Sequence, residues 1–113
     1  VLEPDDVKRI LVYSQWRLDA LNTWDAGSID ATLRGTAAMM ELKLRDFLAP
    51  FFIAISGRSS STPLFKTLAH LGRDLTRARL RDGVDALGGL SGKQQKKWKK
   101  AYDKAVAALA VED

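Results

Sequence analysis

The stretch whose reading decides the fold runs from residue 43 to residue 65, KLRDFLAPFFIAISGRSSSTPLF. Its centre, Phe51-Phe52-Ile53-Ala54-Ile55, consists of residue types common in buried strands. Two neighbours argue against a strand. Gly57 suits a helix terminus, and Pro50 stands near the first turn of a helix running from Leu44 to Ser56. The longest apolar run of the chain, Phe47 to Ile55, is nine residues and contains that proline. A membrane span needs about 20. Arg58-Ser59-Ser60-Ser61-Thr62-Pro63 is the clearest loop, and Thr62 as cap with Pro63 as first helical residue begins the next helix.

Outward from this centre, helical periodicity continues. Toward the N-terminus, Glu3-Pro4-Asp5-Asp6 reads as a helix entry, with proline in the first turn and acids where amide dipoles collect positive charge. Val7, Ile10, Leu11, Leu18 and Leu21 share one face of that helix. Val12 and Trp16, with Tyr13 beside them, lie on the other; they either pack inside this domain or meet a neighbouring one. Asp25 to Ser28 reads as a turn, with Ser28 capping a helix that carries Ile29, Leu33, Thr36 and Met40.

Toward the C-terminus, Leu64, Phe65, Leu68 and Leu71 form an apolar side ended by Gly72. A further helix runs from about Asp74 to Leu87 with Leu80, Val84 and Leu87 as its stripe, weakened by Gly83 and broken by Gly88-Gly89. From Ser91 to about Ala110 a last helix places Trp98, Ala101, Tyr102, Ala105, Val106 and Leu109 on one face. The expectation is an all-α, compact helical bundle forming a single domain over residues 1–113, with 91–110 as a lysine-rich terminal helix. A chain that starts at Val1 reads as a fragment of something longer.

Charge is unevenly distributed along this pattern. Residues 1–56 hold six basic and eight acidic residues; residues 57–104 hold twelve basic and four acidic ones. The modest formal charge of +4 therefore conceals a strongly basic second half, the electrostatic footprint of a phosphate-binding face. One cluster is Arg73, Arg77, Arg79 and Arg81. Arginine forks onto phosphate, although Asp74, Asp82 and Asp85 are near enough in sequence to pair with some of it. The other cluster is Lys93, Lys96, Lys97, Lys100 and Lys104, opposite Trp98 on the last helix. A solvated polar face accounts for those lysines equally well.

Catalytic constellations are missing. Cysteine is absent, which excludes disulfides and thiolate metal sites and fits a reducing cytoplasmic setting. His70 is the only histidine, so no site needing two imidazoles can form, and it reads as a packing or surface residue. Gly88-Gly89-Leu90-Ser91-Gly92-Lys93 lacks the spacing of a Walker phosphate loop. Nothing in the sequence binds a cofactor or metal.

Between residues 43 and 87 the sequence resembles the C-terminal domain of bacterial glutamyl-tRNA synthetases. The resemblance rests on Lys43-Leu44-Arg45-Asp46-Phe47, on Ile53-Ala54-Ile55-Ser56-Gly57-Arg58 against a family "V-A-L-T-G" string, and on Thr62-Pro63-Leu64-Phe65 against "S-P-P-L-F". It continues through Leu68-Ala69-His70-Leu71-Gly72-Arg73-Asp74 and, more loosely, back to Trp24, Ile29 and Leu33. The resemblance implies an α-helical cage around the anticodon stem-loop, with ATP-dependent catalysis in an N-terminal part of the same parent chain. It implies a glutamate-specific tRNA as partner, with Ser61 and Leu64 approaching the last anticodon base and Arg58 and Thr62 nearby. Where the family has arginine before its "V-A-L-T-G" string, this chain has Phe52, which can stack on a base but cannot fork onto phosphate. The expected tRNA-binding set is Phe52, Arg58, Ser61, Thr62, Leu64, Arg73, Arg77, Arg79, Lys97 and Lys100. Alternatives are the similar domain of a class I lysyl-tRNA synthetase, a scaffold, or an interaction module whose Trp98-Tyr102-Val106 face takes a partner helix or an anionic membrane.

Overall fold

In a computed structural model that describes residues 3–56 and 64–111, the regular secondary structure of the described residues is all helical. Six helices follow one another: α1 (Pro4–Asp19), α2 (Ala26–Met39), α3 (Leu44–Ser56), α4 (Leu64–Leu71), α5 (Arg73–Ala86) and α6 (Gly92–Val111). The deciding stretch is thus helix on both sides of residues 57–63, and the strand reading of Phe51–Ile55 is set aside. Pro50, however, sits at the seventh position of α3 rather than in its first turn. Its missing N–H leaves the Asp46 carbonyl without the usual helical donor.

The helix starts follow their local chemistry. Pro4 opens α1, and Glu3 and Asp6 form a reciprocal capping box, the Glu3 amide donating to Asp6 Oδ2 at 3.1 Å. At α2 the cap is Asp25, not Ser28: Asp25 Oδ1 accepts the Ser28 amide at 2.7 Å, three residues downstream as a capping carboxylate should. That amide bond, with help from the Ser28 hydroxyl, holds the Asp25 carboxyl below the usual carboxylate range. Ser91 caps α6 in the same way, its Oγ accepting the Gln94 amide at 3.1 Å.

Two helices end in the same six-to-one turn. After α5, the Gly89 amide reaches the Val84 carbonyl and the Gly88 amide reaches Asp85, with Gly88 at φ 103°. After α2, Leu42 bonds back to Ala37 and Glu41 to Ala38, which puts Glu41 at φ 58°, a left-handed conformation normally given to glycine. Leu87, placed on the buried stripe by its spacing, falls beyond α5 at the turn and is exposed.

The core gathers Ile10, Leu11 and Leu18 of α1, Ile29 and Leu33 of α2, Phe47 and Phe51 of α3, Leu64 and Leu68 of α4, and Leu80 and Val84 of α5. α5 lies against α1 and α3 at the one glycine that weakened its sequence pattern. A Cβ on Gly83 would stand 3.0 Å from Leu11 Cδ1 and 3.4 Å from Ala54 Cβ, so the missing side chain permits the approach. Lys8, buried despite its charge, donates from Nζ to the Gly89 carbonyl at 2.9 Å and ties α1 to the turn before α6.

The second face of α1 is covered from within. Val12 and Tyr13 are buried, and the Tyr13 ring stands 5.3 Å from Tyr102 and 5.9 Å from Trp16. Tyr102 meets Trp16 edge-on at 5.0 Å, and Tyr13 Oη donates to the Trp98 carbonyl at 3.4 Å. α6 therefore docks through large rings, with Trp98 and Tyr102 only 3% and 7% exposed. A partner helix or a membrane has no such face to bind, and no helix of the described residues is long and apolar enough to cross a membrane.

Candidate nucleic-acid interface

The loop that sequence reasoning assigns to base contact, with Arg58, Ser61 and Thr62, lies outside the described residues. The other two residues expected near a base, Phe52 and Leu64, are described. Phe52 near the end of α3 is half-buried and packs on the core, and Leu64 at the start of α4 is 5% exposed within it. What either offers an RNA base is limited to its remaining exposed edge.

The four arginines of α5 do not form one cluster. Arg73 donates from Nη1 to the Asp19 carbonyl at 3.2 Å and from Nη2 to the Leu21 carbonyl at 2.6 Å, and its guanidinium lies 5.4 Å from the centre of the Trp24 ring. Trp24 is itself held by Nε1 donating to the Leu68 carbonyl at 3.0 Å. Arg77 donates from both Nε and Nη2 to Asp19 Oδ1, at 3.0 and 2.9 Å. The partner is Asp19 at the end of α1 rather than Asp74, Asp82 or Asp85. Arg73 and Arg77 thus satisfy the carbonyls and the carboxylate at the C-terminal end of α1, where cations also meet the negative end of the helix dipole. Arg79 is half-buried on the side of α5 away from Arg77, and Arg81 is exposed.

On α6, Lys93, Lys96, Lys97, Lys100 and Lys104 are all exposed, as their stripe opposite Trp98 implies. Among the described residues none of these five is in an ion pair. Lys99 is different. It lies 4.7 Å from the Tyr102 ring centre and 5.0 Å from that of Trp16, and its Nζ is 3.2 Å from Asp103 Oδ1. Burial pushes the Tyr102 hydroxyl pKa up, with Arg17 opposing the shift and Asp103 and Asp19 adding to it. Burial raises Tyr13 likewise, against the nearby Arg9.

Arg9 is the basic residue that sequence reasoning missed. Its guanidinium stands 5.1 Å from the centre of the Trp98 ring, facing the start of α6. Nothing local signals a contact between positions 9 and 98, which depends on how α6 folds back over α1. His70 is exposed at the end of α4. Among the described residues no group of three His, Cys, Asp or Glu side chains is placed to hold a metal ion.

Comparison with known proteins decides what kind of domain carries these features. A family model described as anticodon binding domain matches residues 1–84. The chain belongs to the anticodon binding domain family. The domain is also similar to proteins named glutamate–tRNA ligase. It is 47% identical to that of Psychrobacter cryohalolentis over 98% of this chain and 22% of the relative. For Saccharophagus degradans the identity is 46%, over 96% of this chain and 21% of the relative. For Marinomonas sp. it is 42%, over 89% and 20%. The anticodon binding domain in hand thus spans about a fifth of the length of these relatives. The family match stops within α5, whereas the Psychrobacter match takes in nearly all of the chain, α6 included.

Proposed function

We propose that this domain binds the anticodon stem-loop of a glutamate-specific tRNA as the C-terminal part of a glutamate–tRNA ligase. The observation that carries the reading is the double match: an anticodon-binding family over residues 1–84, and glutamate–tRNA ligases across almost the whole chain. In this reading residues 1–113 act as one folded unit that performs no chemistry. ATP-dependent activation of glutamate belongs to an N-terminal catalytic part of the same cytoplasmic parent.

The work divides by residue type. Arg58, Ser61 and Thr62, carried by residues 57–63, meet an unstacked anticodon base, which polar loop groups and apolar edges can read. Leu64 approaches the base only with the small edge its burial leaves exposed, and the Phe52 ring supplies stacking where an arginine would supply a fork. Cations of the second half, among them Arg79, Lys97 and Lys100, supply the backbone term. Arg73 and Arg77 already hold contacts at the end of α1, so they meet phosphate with part of their donor set committed and, for Arg77, with Asp19 offsetting its charge.

Fluorescence anisotropy of the chain against a glutamate-tRNA anticodon stem-loop, with a scrambled-loop control, at two salt concentrations tests the reading. Tighter binding to the cognate loop that weakens as salt rises is expected. Equal affinity for both loops would refute anticodon recognition by this domain.

A further inference from the structure

Several cations that the fold leaves without an ion pair meet away from α5. Between the first turns of α1 and α6 runs an open groove of about 390 Å³, lined by Asp5 and Arg9 on one side and Lys93, Gln94, Lys97 and Trp98 on the other. At ~30 Å³ per water the groove holds an anion of several heavy atoms with part of its hydration. Three of the lining side chains are cationic. Asp5 is the one acid among them, and its Oδ1 already lies 3.7 Å from Lys8 Nζ. Among the described residues neither Arg9, Lys93 nor Lys97 is in an ion pair. Arg9 is also held in place, its guanidinium lying against the Trp98 ring. Less side-chain freedom is then lost on binding than an unrestrained arginine would lose.

The groove opens onto a longer track. Lys93, Lys97, Lys100 and Lys104 recur at four-, three- and four-residue intervals, which aligns them along one edge of α6 over ~16 Å of helix rise. The lining is the polar, positively charged kind that follows a sugar-phosphate chain without reading its bases.

We infer that Arg9, Lys93 and Lys97 form a backbone-phosphate site for RNA, continued by Lys100 and Lys104, which grips the nucleic acid independently of its sequence. The inference rests on the tRNA reading for its ligand and goes beyond it in locating a contact surface that includes α1 and lies mostly beyond the family match. Base preference stays with residues 57–63; the groove contributes affinity and salt dependence.

The test compares Arg9→Gln/Lys93→Gln/Lys97→Gln with a control of equal charge change elsewhere, Arg34→Gln/Lys43→Gln/Arg45→Gln, in the 113-residue chain. Each is titrated with the cognate and the scrambled stem-loop across a salt series. Three lost phosphate contacts lower the slope of log K against log salt by roughly 2–3, at about 0.7–0.9 per phosphate. The loss is expected equally for both RNAs, and the control is expected to fall well short of it. Lys93→Gln/Lys97→Gln changes only exposed side chains and is expected to give about two-thirds of the effect, which separates the groove from any packing role of Arg9. A groove variant whose slope matches the control, or a wild-type chain that binds neither RNA, overturns the inference. If the wild type binds both loops equally while the groove variant still loses its slope, the anticodon reading fails and the groove stands.

Discussion

Gly83 offers a direct test of how α5 packs, because the same substitution should have opposite effects at two helical glycines. Gly→Ala in a helix interior gains ~0.8–1 kcal/mol of helix propensity. At Gly35 in α2 nothing opposes that gain: the nearest atom to a new methyl is the tip of the Arg17 side chain at 3.6 Å, an ordinary contact. At Gly83 the methyl would stand 3.0 Å from Leu11 Cδ1 and 3.4 Å from Ala54 Cβ. Leu11 is 2% exposed and has little room to turn aside. Forcing a methylene-sized group into such a core costs ~1–3 kcal/mol.

The balance is a gain of about 0.5–1 kcal/mol for Gly35→Ala and a loss of about 1 kcal/mol for Gly83→Ala. Thermal unfolding followed by circular dichroism reads the difference, at roughly 4 °C per kcal/mol for a domain of this size. A second step identifies the clash. Leu11→Val removes the δ-carbon that the new methyl meets, so the double variant should be more stable than the sum of the two single losses. A Gly83→Ala protein that melts as high as Gly35→Ala, or additive losses in the double variant, would show that α5 does not rest on α1 through this residue.

Glu41→Gly should raise stability by about 0.5 kcal/mol, because relief of a left-handed non-glycine residue, worth ~1 kcal/mol or more, outweighs the added freedom of the unfolded chain; urea unfolding checks it. The Asp25 carboxyl titrates lower in the folded chain than in the unfolded one, so its contribution is complete above the usual carboxylate range and is lost as pH falls through the folded value. Asp25→Asn keeps a capping oxygen and should flatten that acid limb of a Tm-against-pH curve, whereas Asp25→Ala should lower Tm at neutral pH. Tyr102 runs the other way. With the folded pKa raised by burial, the unfolded chain loses its proton first, so stability falls as pH climbs past about 10, and Tyr102→Phe should blunt that fall in alkaline melts. Arg73→Ala removes two donors to main-chain carbonyls and the contact with Trp24, and should cost about 1–2 kcal/mol by urea unfolding.

Much of the fold was legible because its signals are local. Pro4 with two acids, the Ser91 cap and the Gly88-Gly89 break each mark a helix boundary through the backbone groups of a single turn. The same reasoning misplaced the α2 cap by three residues, since Asp25 and Ser28 are both good caps and only the register of the following helix chooses between them. It undervalued Gly83, whose meaning depends on Leu11 and Ala54 arriving from two other helices. Spacing put Leu87 on the stripe but could not show that α5 ends one residue earlier. Two placements were open on sequence grounds, the far side of α1 and the apolar side of α6, and each settles the other. Tyr13 and Trp16 meet Trp98 and Tyr102, a contact between residues more than eighty positions apart that no periodicity can announce.

The basic residues show why charge counted along a chain differs from charge available to a ligand. By composition the arginines of α5 were the stronger candidates, since arginine suits phosphate better than lysine does. That same geometry lets Arg73 and Arg77 engage main-chain carbonyls at and just beyond the end of α1 and the Asp19 carboxylate, with two hydrogen bonds from each guanidinium. An RNA phosphate competing for the engaged donors of Arg77 must displace an ion pair whose side chains are each about one-third exposed, a modest obstacle. One competing for Arg73 must also strip donors from two main-chain carbonyls, a larger one. Lys93, Lys96, Lys97, Lys100 and Lys104 of α6, unlike Lys99, hold no ion pair among the described residues. In the proposed reading an incoming phosphate therefore meets less resistance on the face where Arg9, Lys93 and Lys97 converge, although two of the three residues there are lysines, individually the less specialised choice.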